Sequence, residues 1–220
     1  MKWLDKLERK YGRFGIPDLM MVVSTVMVLV YLFDMVQNRI YLQGMLSLSR
    51  AAILDGQVWR LVSFIFAPPP SSPLFVLLAI YFYLFLGRTL ENQWGSFRFT
   101  LYYLFGMLGC IAAAMLTGYG TNSYLNLSLF LAFAFLYPDL EVLLFFFLPI
   151  KVKYLAYLDW AFFALTLLTG NAVTRAAALF SLLNFFLFFG PTMIGSIREQ
   201  LKYRKLRQNF RKNYRNDPWR

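Results

Sequence analysis

"TNSYLNLSLFLAFAFLYP", residues 121–138, encloses an apolar run from Ser123 to Tyr137. A helix over its roughly 15 residues is about 22 Å long, against about 30 Å of bilayer hydrocarbon. A helix that short must be sheathed by neighbours, or the bilayer beside it must thin. The run also opens on Ser123, a polar residue in an unwelcoming place. Two readings follow: a nucleophile, or a hydroxyl that a membrane helix tolerates.

The rest of the chain supplies the neighbours. Of its 220 residues, 59% are hydrophobic, 20% aromatic and only 15% charged, too apolar for a soluble domain of this size to hide. Hydropathy marks six spans: Ile16 to Val36, Leu74 to Leu90, Phe97 to Thr117, Ser123 to Tyr137, Tyr154 to Thr169 and Ala176 to Gly190. Helices satisfy their own backbone in lipid, so these read as a helical bundle. The first span is too long for a signal peptide and lacks a small-residue cleavage site, so it is expected to be retained. Of the 22 Lys and Arg, all but Arg39, Arg50, Arg60 and Arg175 fall in residues 1–15, 88–98, 138–153 and 191–220. That asymmetry puts both termini in the cytoplasm.

Between the first two spans, residues 37–72 are only moderately apolar and are broken by Gly44, Arg50, Asp55 and Gly56. They read as short helices in the interface. "PPPSSP", Pro68 to Pro73, reads as an extended turn into the second span.

Missing residues exclude much chemistry. With no histidine there is no Ser-His or Cys-His pair, no histidine metal ligand and no imidazole switch. Cys110 is the only cysteine, which rules out an intramolecular disulfide and a multi-cysteine metal site. No metal and no cofactor are expected. Asp34 and Asp159 suggest an aspartyl dyad, but they fall near opposite ends of their spans, where each is expected to reach interfacial water.

The polar side chains inside the later spans are Ser123, Asn126 and Ser128, preceded by Asn122, and then Ser181 and Asn184. They serve either as ordinary interhelical hydrogen bonds, about 0.6–2 kcal/mol each, or as the lining of a groove for polar residues of a client helix. The tail "IREQLKYRKLRQNFRKNY", Ile197 to Tyr214, carries Lys202, Arg204, Lys205, Arg207, Arg211 and Lys212. It reads either as a surface helix that attracts anionic lipid or as a solvated tail that fixes topology. Nucleic acid is not an expected partner.

"GQVWRLVSFIFAP", residues 56–68, and "YFYLFLGRTLENQWGSFRFTLYYLFG", residues 81–106, resemble the rhomboid and Derlin superfamily. The resemblance rests on Trp59 with Arg60, on Arg88 with Glu91, and on "YPDLEVLLFFFLPIKVKYLAYLDW", residues 137–160, as the connection between fourth and fifth spans. In proteolytic members the fourth span begins Gly-x-Ser-Gly and the sixth supplies a histidine base. Here "TNSY" stands in that place, so the resemblance makes Ser123 a relic of the nucleophile. The base position falls at "AALFSLLNFF", where Ser181 and Asn184 take no proton near neutral pH. Phe185, Phe186, Phe188 and Phe189 replace the small residues of that helix.

The expectation is an all-α membrane protein, a six-transmembrane-helix rhomboid-like bundle with an interfacial first outer loop. Residues 1–15 form a cytoplasmic segment, 16–190 the membrane domain and 191–220 a basic cytoplasmic tail. The resemblance implies a catalytically inactive, Derlin-like pseudoprotease that binds transmembrane clients and perturbs the bilayer in membrane protein quality control or trafficking. Trp59, Arg60, Arg88 and Glu91 are then architectural. Three alternatives are an active serine protease at Ser123, a small transporter and a lipid-surface scaffold. A prokaryotic plasma membrane is favoured over endoplasmic reticulum.

Overall fold

The computed structural model describes residues 2–36, 42–144 and 148–190. The basic-tail residues Lys202 to Lys212 lie outside them. The chain begins with a helix not foreseen from the sequence, α1 (Lys2–Tyr11). Glu8 on it receives two hydrogen bonds from the Arg98 guanidinium, at 2.8 and 2.6 Å. Pro17 and the left-handed Asp18 (φ 52°) separate α1 from α2 (Leu19–Val36), so the first apolar helix starts three residues later than hydropathy suggests.

The segment after α2 holds short helices, as its broken hydropathy predicts: α3 (Leu42–Leu46), α4 (Arg50–Leu54) and α5 (Arg60–Ser63), followed by a 3-10 turn at Phe64–Phe66. A two-residue strand, β1 (Leu48–Ser49), precedes α4. The proline run ends with extended Ser72, and Pro73 opens α6 (Pro73–Trp94), where its missing N–H costs no helical hydrogen bond. Gly95 turns the chain at φ 81°, a conformation glycine adopts freely, and α7 (Ser96–Thr117) begins at once.

A second short strand, β2 (Tyr119–Gly120), pairs antiparallel with β1 and ties the loop helices to the end of α7. Then come α8 (Ser123–Leu136) and the antiparallel ribbon of β3 (Glu141–Leu144) and β4 (Leu148–Lys151). This ribbon corrects the reading of residues 138–153 as a plain connection: Val142 and Ile150, both β-branched, face each other in the pairing. The chain continues through α9 (Val152–Thr169) and α10 (Ala172–Gly190).

Among the described residues, five helices are long and apolar enough to cross a membrane: α2, α6, α7, α9 and α10. The protein is therefore a multi-pass integral membrane protein. The predicted fourth span, α8, has 14 residues and falls short of that length. Residues Met1–Phe185 form one compact unit and Phe186–Arg220 a second. Within the first, α8 packs against α6, α7 and α9, while α6 packs against α2 and α7. The largest fully buried side chains come from several helices, among them Met20 and Met27 of α2, Leu86 and Leu90 of α6, Tyr102 and Tyr103 of α7 and Phe133 of α8, and α8 buries the greatest share of its own residues, nine of 14. The core is thus centred on the shortest of the apolar helices.

Candidate functional site

The start of α8 is pinned from outside the bundle. Asn122 is buried, and its side-chain amide donates to the carbonyls of Ile65 (3.1 Å) and Ala67 (2.9 Å). Those carbonyls belong to a turn ahead of the proline run, where regular backbone pairing has ended, so a side-chain donor satisfies them. Arg60 holds the same loop from within. Its guanidinium is buried and donates to Gly44 O (3.0 Å), Ser47 O (2.8 Å) and the Gln57 side chain (2.8 Å). Trp59 beside it is 58% exposed, placed for an interfacial indole.

At the other end of α6, Glu91 accepts from the Asp18 backbone N–H (2.9 Å) and the Ser96 hydroxyl (2.6 Å). This one carboxylate joins the starts of α2 and α7 to the end of α6. Arg88 is more exposed, 3.8 Å from Asp18.

Ser123 itself is exposed, and its Oγ accepts a hydrogen bond from Thr121 Oγ1 at 3.2 Å. Thr121 is no base, and no carboxylate or amine contacts Ser123 among the described residues. Next to it, the Tyr124 ring packs on Phe162 and Phe163 of α9, with centroids 6.3 and 6.0 Å apart.

The polar residues farther along α8 separate into two clusters. Ser128 is wholly buried. Its hydroxyl lies 2.6 Å from Tyr102 OH and donates to Ser181 O at 3.2 Å, while Tyr102 OH donates to Ser128 O at 2.8 Å. Asn184 donates to Tyr102 O at 3.3 Å and leaves its own Oδ1 unpaired. A side chain added at Gly106 would overlap both Leu125 and Asn184, so that glycine lets α7, α8 and α10 meet. Asn126 faces the other way, toward Tyr83 of α6, and its Oδ1 has no partner.

The candidates thus do not converge on Ser123. Ser181 meets α8 at Ser128, five residues beyond Ser123 and so about 7.5 Å along the axis. Ser128, Ser181 and Asn184 are buried in interhelical hydrogen bonds, while Asn122 is tied to the loop. Among the described residues, no group of His, Cys, Asp and Glu is arranged to hold a metal.

Of the two aspartates, Asp34 stands near its helix end as expected and Asp159 does not. Asp34 accepts from the backbone N–H groups of Leu42 (2.8 Å) and Gln43 (3.2 Å), capping the start of α3. Asp159 does not reach interfacial water. It is the eighth residue of α9, 6% exposed, and neither carboxyl oxygen has a hydrogen-bond partner. Hydropathy put it near a helix end because the span was begun at Tyr154; the ribbon delivers the chain into helix at Val152, and the carboxyl lies on the buried face of that helix. That face was not readable from α9 alone.

No protein-family model matches the sequence, and no curated protein matches it detectably.

Proposed function

We propose that this chain is a catalytically inactive, rhomboid-like and Derlin-like membrane protein that binds transmembrane clients and perturbs the bilayer around them. In this reading both termini are cytoplasmic and the role is in membrane protein quality control or trafficking. The observation that carries it is the shortness of the central helix. α8 has 14 residues where α6 and α7 have 22 each, so it covers about 21 Å of some 30 Å of hydrocarbon. Its neighbours α6 and α9 present lipid-facing side chains such as Leu77, Tyr81, Leu158 and Leu165. A client helix seated beside them would meet, where α8 stops short, a polar helix end with exposed Ser123 in place of hydrocarbon, an arrangement suited to holding a segment that a full bilayer would keep in place.

The absence of proteolysis in this reading rests on chemistry. A serine hydroxyl whose neighbour is a threonine hydroxyl is not activated, and the groups at the base position are bonded within the packing of α7, α8 and α10. Reconstitution with transmembrane substrates tests both halves. The expected result is crosslinking of client helices along α6 and α9, no cleavage, and no labelling of Ser123 by a serine-reactive probe. Cleavage and labelling that vanish together in Ser123→Ala would overturn the reading in favour of a protease.

A further inference from the structure

Asp159 is the one carboxylate among the described residues that is buried in an apolar helix with both oxygens unpaired. The position is well inside α9, seven residues after Val152 and ten before Thr169, about 10 Å and 15 Å along the axis. Val152, Asp159, Phe163 and Thr166 form the buried face of the helix. Phe163, one turn beyond Asp159, touches Tyr124, so this face is the one turned to α8. Leu158 and Phe162, flanking it, are exposed.

Among the described residues, no Lys or Arg bonds the carboxyl. The sequence of α8 contains no charged residue. Arg175 at the start of α10 donates to Leu168 O at 2.6 Å, and Lys153 is paired with Asp139 at 3.0 Å. Lys151, at the end of β4, precedes Asp159 by eight residues. A buried carboxyl without donors carries a desolvation cost that a paired one avoids. Intramembrane ionisable residues of this kind mark functional positions.

We propose that Asp159 is the recognition point for a basic residue, Lys or Arg, carried in the middle of a partner protein's transmembrane helix that enters beside α9 at its seam with α8. The proposal rests on the client-binding reading and adds the chemistry by which clients are chosen. Charge complementarity names the occupant. The described helices of a second copy do not supply it, because Arg88, Arg98, Lys153 and Arg175 all stand within about two turns of their helix ends. The cation is therefore assigned to the helix of a different protein, one whose own partner for that charge is missing.

The test uses the full chain with a photocrosslinking residue in place of Phe162, in phosphatidylcholine vesicles. The probes are 21-residue leucine-based transmembrane peptides with Lys, Gln or Leu at the centre. The Lys peptide should be captured about tenfold more than the Leu peptide, the scale of a single intramembrane polar pairing of up to about 2 kcal/mol. Asp159→Asn should abolish that preference and Asp159→Glu should keep it. Equal capture of Lys and Leu peptides by the wild type overturns the proposal without recourse to any variant, as does a preference that survives in Asp159→Asn. Capture of Gln and Lys alike overturns the charge requirement and with it the proposal. If all three peptides are captured equally, client binding stands and charge selection falls; if none is captured, both fall.

Discussion

Helices α8 and α9 are adjacent, similarly apolar and built from nearly the same residue types, yet they live in different surroundings. Nine of the 14 residues of α8 are buried, against four of the 18 of α9. Ser128 on α8 has the Tyr102 hydroxyl and the Ser181 carbonyl arranged about it, whereas Asp159 on α9 has no hydrogen-bond partner. A central helix can carry polar groups because neighbours on every side complete their hydrogen bonds. A peripheral helix has one protein-facing stripe, and an ionisable group there depends on what that stripe meets.

The strongest way to break this contrast is to force α8 away from its neighbours. Gly106→Leu would push into Leu125 and Asn184, and overpacking of a close helix contact costs about 1–3 kcal/mol or more. Leu165→Ala, on the exposed stripe of α9, should change unfolding by only a few tenths. Unfolding of both variants in detergent micelles, followed by loss of helical signal, measures the difference. Equal losses would mean that α8 is no more central than α9.

Next in size is a pair of opposite sign. Tyr102→Phe removes the hydroxyl that bonds Ser128, and should destabilise by about 0.6–2 kcal/mol. Asp159→Leu removes an unpaired buried polar group, and should stabilise the unliganded protein by about 1–3 kcal/mol. Stabilisation on removing a residue is the mark of a group kept for something other than folding. Destabilisation by Asp159→Leu would show instead that the carboxyl has a partner in the membrane, water included.

The sequence reveals the bundle better than it reveals the site, and these two residues show why. Span ends come from hydropathy, a local sum, so α6 to α8 start within a residue of where "PPPSSP", Gly95 and "TNSY" place them. The ribbon of β3 and β4 and the helix α1 were missed because short strands and an ion pair between Glu8 and Arg98, ninety residues apart, leave no local signature. Ser128 and Asp159 both read as polar residues in apolar runs. Only the packing of α7 and α10 around one, and a buried face of α9 that brings no donor to the other, separates a satisfied hydroxyl from an unsatisfied acid.

The smallest expected effect belongs to the carboxylate that contrasts most with Asp159. Asp139 is exposed, and the hydrogen bond from the Lys153 ammonium, with its charge, holds the carboxyl below its ordinary value of 3.8. A carboxyl acidified in the folded state binds fewer protons than in the unfolded chain. Its contribution is therefore complete above about pH 4 and is lost as pH falls through the lower folded value. Lys153→Met should leave stability at pH 7 nearly unchanged, because an exposed pair is screened by water and salt, while flattening the acid limb slightly. An acid limb of the same slope in wild type and variant would mean that the ribbon is held by its β3–β4 backbone pairing alone, with the ion pair a passenger on it.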